Sequence, residues 1–271
     1  MYPRVAIASW YALGFIGWSS LATLFLAIAT APVNASLWQG IHVLIRGFLK
    51  AEPLKGLGLY EAVGLTLWFD LTTLLVGSWL VGALQLRRRR IRHGELLDLL
   101  AMSDSPFVDI DIIDHEVPLA YFVPGGSGRV VLSRGALQSF EPSELDAIIE
   151  HERGHRDGRH GLWLLPLTSM TPFFAFIPYA RMAPVAIRAH IEMAADDVAQ
   201  RRGSLEGLCG ALRSASTFGL APWGTMAWDG SVVERRLARL ESPRQFKSRA
   251  LLSVMTLLVL AWAVVTAWLI H

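Results

Sequence analysis

Apolar residues in this chain come in long blocks. Val5 to Thr30 carries no charge over 26 residues, Ala62 to Leu86 is interrupted only by Asp70, and Ala250 to Ile270 is again uncharged. Each block exceeds the ~20 residues that a helix needs to cross a bilayer core. The pattern predicts three spans, at about 5–30, 62–86 and 250–271. A cleaved signal peptide is the rival for the first, because Ala29-Thr30-Ala31 has the look of a cleavage site. Signal cores run only about 7–15 residues, and this block is preceded by Arg4 alone, so the length favours an uncleaved span.

Between the second and third blocks the periodicity is that of a water-facing domain. Glu95 to Leu100 reads as a short amphipathic helix, and Val108 to Ile113 alternates as a strand. Leu119 to Val123 and Arg129 to Ser133 flank Pro124-Gly125-Gly126-Ser127-Gly128, a hairpin signal with a long glycine-rich loop. Glu141-Pro142-Ser143-Glu144 opens a helix, with proline in the first turn and acids facing the positive dipole end. A second helix is expected over about His190 to Arg202, stopping at Gly203. A third opens on the capping box Ser231 to Glu234, with Val233, Leu237 and Leu240 on one face and Pro243 beyond its end. The expected class is α+β: a multi-pass α-helical membrane protein carrying a domain at 87–249.

Charge then orients the spans. Arg87 to Arg90 and Arg92 abut the second span, and Arg244, Lys247 and Arg249 precede the third. Positive residues gather at cytoplasmic ends, so segment 87–249 is expected in the cytoplasm and the loop 32–61 outside, although Arg46, Lys50 and Lys55 soften the contrast. Segment 87–249 holds 21 basic and 20 acidic residues, which gives no nucleic-acid footprint beyond the juxtamembrane arginines. Those serve topology, with contact to anionic lipid as an addition. The single Cys209 excludes an internal disulfide framework and suits a reducing compartment.

The chemistry lies at His151-Glu152-Arg153-Gly154-His155. Chance would place an HExxH in a chain of this composition about 0.01 times. Residues four apart on a helix stand one above the other, so His151 and His155 can hold one ion while Glu152 handles a proton of the attacking water. Catalytic zinc takes three protein ligands. Glu192, which opens Glu-x-x-x-Asp on the later helix, is the natural third. Asp196, one turn on, can accept a ligand histidine's ring N–H and set its tautomer. His160 competes for the third place. Continued as helix, five residues past His155 turn it roughly 140° off the metal face, which leaves a capping or structural role. Arg188 and His190 could each stabilise an oxyanion, but spacing chooses neither and a plain surface role is the first expectation for both. Asp70, near mid-span, is expected to make a structural hydrogen bond inside the membrane, with signal sensing as the alternative. Residues 162–180 are uncharged yet contain Pro166, Pro172 and Pro178. They can be a kinked span, a re-entrant hairpin or a greasy segment lying on the bilayer. A single crossing would part His151 from Glu192, so 162–187 is expected to be a hairpin or membrane-apposed.

EPSELDAIIEHERGHRDGRHGL, the later EMAADDVA, the earlier AYFVPGGSGRVVLSRGAL and the downstream ERRLARL together resemble integral-membrane gluzincin peptidases. The likeness is nearest to BlaR/MecR-type antirepressor metalloproteases, with HtpX-type membrane proteases as wider relatives, and covers about 90–245. It implies a bacterial membrane zinc endopeptidase with a cytoplasmic site near the bilayer. It assigns His151, His155 and Glu192 to Zn2+, Glu152 to catalysis and Asp196 to the outer shell. It makes Leu119, Ala120, Tyr121, Phe122 and Val123 the edge that pairs with substrate backbone. It also implies a protein substrate, such as a cytoplasmic DNA-binding repressor; the alternatives are constitutive quality control of membrane proteins and a non-catalytic signalling scaffold. Two departures stand out. Many relatives carry Asp where this chain has His160, and the penicillin-binding sensor is absent from the sequence, so antibiotic sensing does not carry over.

Overall fold

A computed structural model describes residues 3–31, 37–50, 58–100, 109–123, 128–217 and 230–242, with single residues at 256, 259, 260 and 262. Two long apolar helices open the chain, α1 (Pro3–Thr30) and α3 (Leu59–Leu100), joined through α2 (Leu37–Leu49). Residues 3–30 and 59–88 are long and apolar enough to cross a membrane by length and composition. Their outward faces are greasy: Leu24, Phe69, Val76 and Leu80 are each more than half exposed. Apolar surface on that scale marks contact with something other than water. The expected short helix at 95–100 is the end of α3, which runs unbroken for 42 residues. α2 falls in the stretch expected to be a plain loop. It is amphipathic, with Ile41, Leu44 and Ile45 on one side and Gln39, His42 and Arg46 on the other. Of the expected third span only Thr256, Val259, Leu260 and Trp262 are described. Trp262 packs edge-on against Phe15, ring centres 5.6 Å apart, and its indole N–H donates to Ser20 at 3.2 Å. Asp70 is exposed on the outer face of α3.

Segment 162–187 forms the arms of a helical hairpin. α6 (His160–Phe174) and α7 (Pro178–Arg202) turn at 175–177 and lie against α3 and α1 respectively. Ile7 of α1, Leu167, Ala183, Ile187 and Ile191 share one apolar core. Near the tip, the Tyr179 hydroxyl donates to the Trp10 carbonyl at 2.6 Å. Pro184 has no N–H to give the carbonyl of Ala180, and the hydroxyl of Thr171 on α6 donates to it instead, at 3.0 Å. The helix expected from His190 therefore starts twelve residues earlier, because its apolar first half continues the hairpin.

The remaining elements are β1 (Ile110–Ile113), β2 (Ala120–Val123), β3 (Arg129–Ser133), α4 (Arg134–Ser139), α5 (Pro142–Asp157), α8 (Leu205–Thr217) and α9 (Gly230–Glu241). The sheet order is β1-β3-β2, with β1 parallel and β2 antiparallel to β3, so β2 is an edge. The three strands match the predicted runs to within two residues; Val108 and loop 124–127 lie outside the described residues. α5 starts as expected, with the Glu144 carboxylate accepting the Glu141 N–H at 3.2 Å. It packs between the sheet and α7. Ile148 joins Ile110, Val130 and Leu132 in one core, while Ala147 joins Ala199, Leu208, Cys209, Leu212 and Val233 in another. The lone thiol is thus a core group.

Ile148 lies one turn before His151 and is fully buried, whereas Leu137 is 39% exposed. Ile148→Ala should cost about 2–5 kcal/mol in a denaturant titration of the detergent-solubilised protein. Leu137→Ala should stay within about 0.5 kcal/mol. Equal losses would mean that α5 is not seated on the sheet as described.

Candidate metal centre

The HExxH residues lie on α5 and Glu192 lies on α7, and the two helices cross where α5 has no side chain. A Cβ on Gly154 would stand 3.1 Å from the Ala195 Cα, so glycine is what lets the backbones approach this closely. The crossing brings His151 Nε2 to 3.2 Å from His155 Nε2, and Glu192 to 3.4 Å from the first and 3.7 Å from the second. One ligand atom from each residue lies within 4.8 Å of the others. Nitrogens on a tetrahedral zinc, each about 2.0–2.1 Å from the ion, stand about 3.3 Å apart.

The outer nitrogens explain why the inner pair suits a cation. His151 Nδ1 lies 3.0 Å from Asp196 Oδ1, and a carboxylate can only accept, so Nδ1 carries the proton there. In the neutral imidazole, Nε2 then offers a lone pair. Buried Glu152 stands beside the pair, and none of the described residues hydrogen-bonds its Oε1. A buried carboxylate oxygen in that state is costly unless something else meets it. The donor set fits a divalent ion with zinc's preferences.

Asp196 is itself held by a residue that motif reading did not single out. Arg236 of α9, 1% exposed, grips it bidentately, Nε to Oδ2 at 2.8 Å and Nη2 to Oδ1 at 2.6 Å. It also reaches Glu192 at 3.6 Å. The signal was available: Arg236 falls on the same helical face as Val233 and Leu240, so an arginine interrupts an otherwise apolar stripe. Burial works against ionisation at Asp196, but Arg236 and His151 prevail and bring it to about 2. Burial likewise pulls His151 down, and the two carboxylates more than offset it, holding the metal-free imidazole at about 9. Glu192 is held well below the carboxylate range despite its burial, by both histidines and Arg236. Glu152 goes the other way: burial raises it, only partly offset by His155, His151 and the Phe122 backbone N–H.

That last bond orients the edge strand. The Ser133 N–H donates to the Leu119 carbonyl at 2.9 Å. With alternation along an antiparallel pair, Leu119, Tyr121 and Val123 face β3, while the backbone groups of Ala120 and Phe122 face outward. Phe122 reaches Glu152 from there, so the free side of β2 looks onto the centre. On the opposite side, Arg153 and Arg156 clamp Asp109 at the mouth of β1, with Arg153 Nη2 at 2.8 Å.

His160 leaves the metal face as expected, but by another route. α5 ends at Asp157, Arg159 takes a left-handed conformation (φ 48°), and α6 starts afresh at His160. The buried ring folds back on the far side of His155, with the two Nδ1 atoms 3.0 Å apart. Burial, then His155, hold His160 down at about 3, so it is a neutral imidazole. Of the oxyanion candidates, Arg188 lies one turn before Glu192 on the same face of α7, and His190 is turned about 160° away.

Two histidines from α5 and a carboxylate from α7 make the donor set of a metal-dependent hydrolase. Residues 85–217, which take in the sheet, α4 to α8 and the hairpin, match the model of Peptidase family M48. No curated protein matches the chain.

Removing the cation under Asp196 should be severe. Arg236→Met leaves a fully buried carboxylate without its main partner, a change that costs about 3–5 kcal/mol. Adding Asp196→Asn should restore part of the loss in the same denaturation assay. A single-variant loss under about 1 kcal/mol would show that the pair is not buried as described.

Proposed function

We propose that this chain is a multi-pass membrane zinc endopeptidase, with its centre on the cytoplasmic side, acting in regulatory proteolysis. The observation that carries the reading is the convergence of His151, His155 and Glu192 beside the buried Glu152, under the edge strand β2. In this reading residues 1–86 are membrane region with two spans, 87–249 is the protease domain with the apposed hairpin, and 250–271 is the last span. The greasy faces of α1, α3 and the hairpin meet lipid. The arginines that flank 87–249 put that segment inside. A cytoplasmic DNA-binding repressor is the substrate class, and the protein itself contacts no nucleic acid.

His151 and His155 present Nε2 and Glu192 presents a carboxylate oxygen, which are the positions that would hold zinc. Bound there, the ion supplies Lewis-acid polarisation of the scissile carbonyl and makes water a competent nucleophile at neutral pH. The outward backbone groups of Ala120 and Phe122 seat the substrate as an added strand. Glu152 accepts the proton of the attacking water and passes it to the leaving amine nitrogen. Its raised pKa suits a group that must hold that proton between the two events. Asp196, steadied by Arg236, keeps the His151 proton on Nδ1.

One observation favours the quality-control alternative as a second reading. Ile191, next to Glu192, shares a core with Ile7 at the start of α1, and Arg4 is near enough to bear on His160. The centre therefore lies level with the end of an apolar helix, within reach of juxtamembrane segments of other membrane proteins.

Zinc content and peptide cleavage test the chemistry together. His151→Ala and Glu192→Ala should lose most of about one zinc per chain, while Glu152→Gln keeps the zinc and loses several orders of magnitude in turnover. Full zinc in Glu192→Ala would remove that residue from the ligand set. A proteomic comparison of cells carrying wild type and Glu152→Gln separates the repressor from the quality-control reading by what accumulates.

Topology is tested with reporter fusions. Cytoplasmic-type signal is expected after Asp104 and after Glu206, and external-type signal after Ala51 and at the C-terminus. Opposite signals after Asp104 and Glu206 would put the two ligand helices on different sides and sink the reading.

A further inference from the structure

We propose that His160 is the positioning residue of His155: its Nδ1 accepts the Nδ1–H of His155 and so locks the ring with the Nε2 lone pair facing the metal position. The inference rests on the zinc reading above and extends it to a residue outside the ligand set. Two imidazole nitrogens 3.0 Å apart require that one donate and the other accept. The direction follows from the other end of the ring. His155 Nε2 faces His151 Nε2 at 3.2 Å and Glu192 at 3.7 Å, so as a ligand it must be unprotonated. The proton of neutral His155 is then on Nδ1, and His160 is the acceptor, with its own proton on Nε2.

The surrounding backbone is shaped for this contact. The left-handed residue Arg159 separates α5 from α6, and the rings of His155 and His160 stand at 87° with centres 5.0 Å apart. A Cβ on residue 158 would fall 2.2 Å from the His160 Nε2, so Gly158 leaves the space into which the ring folds. His160 is 8% exposed, which keeps water from replacing it. The two ligand histidines are thus backed differently. His151 donates to a carboxylate and His155 to a neutral ring, which draws less on the Nδ1 proton and leaves His155 the weaker ligand.

Zinc affinity of the full-length protein in detergent, measured by chelator competition, tests this without reference to activity. His160→Ala should weaken binding about 10–100-fold. His160→Asn, whose Oδ1 can accept from nearly the same place, should return to within a few-fold of wild type, and His160→Asp should match or exceed wild type. Thermal unfolding of each variant in excess chelator checks that the metal-free fold is kept. Wild-type affinity in His160→Ala would overturn the proposal. So would Asn and Asp variants as weak as the alanine variant, since the ring would then be only filling space. If His151→Ala lost its zinc while His160→Ala did not, this inference alone would fall. If the wild type bound no zinc, the metallopeptidase reading would fall with it.

Discussion

Charge balance in a dry place is the constraint on which the rest of this centre depends. Glu152 on α5 and Glu192 and Asp196 on α7 are all buried at the helix crossing, and a buried carboxylate is tolerated only against a cation. Arg236 supplies one positive charge and a divalent ion two, which neutralises all three acids. Without the ion, the extra proton that Asp196 and Glu192 favour on His151, whose pKa they raise to about 9, does part of the same work. Loading a divalent ion there would exchange protons for metal with little change in total charge, as expected when ligands must deprotonate to bind. The position of α9 follows from the same demand: an arginine is worth burying there only because two acids wait for it.

The parts legible in the sequence were those where local chemistry dictates local structure. Spacing of four put His151 and His155 on one face, alternation marked the strands, and the Glu141–Glu144 signal started α5. Glu192 and Asp196 were readable because Glu-x-x-x-Asp repeats the one-turn rule on a second helix. Residues 162–187 were harder, because apolar character with three prolines suits a span, a hairpin or a surface segment alike. What decides is packing against α1 and α3, such as the Thr171 hydroxyl reaching the carbonyl that Pro184 deserts. The loop at 32–61 hid α2 for a related reason: thirteen residues of mixed character carry a helical period but no caps strong enough to announce it. His160 was placed by extending α5 past Gly158, and one left-handed residue undid that extrapolation. Arg236 was overlooked because an arginine in a charged-looking stretch reads as surface until its helical face is worked out.

The edge strand and the hairpin solve opposite problems at one spot. Among the described residues β2 has no strand on its outer side, an aggregation hazard on an open surface, but here that side looks onto Glu152 and the helix crossing. The hairpin covers apolar surface that the domain could not expose to water, and returns the chain to the side it left, so that residues 41 apart in sequence meet. Each feature would be a liability alone.

α7 ties these regions into one mechanical part. From Tyr179, bonded to the Trp10 carbonyl, to Glu192 is thirteen residues of continuous helix, roughly 20 Å of rod. Sliding or twisting the rod at one end displaces the carboxylate at the other. One helix thus fixes both the seating of the hairpin on α1 and the place of the Glu192 carboxylate.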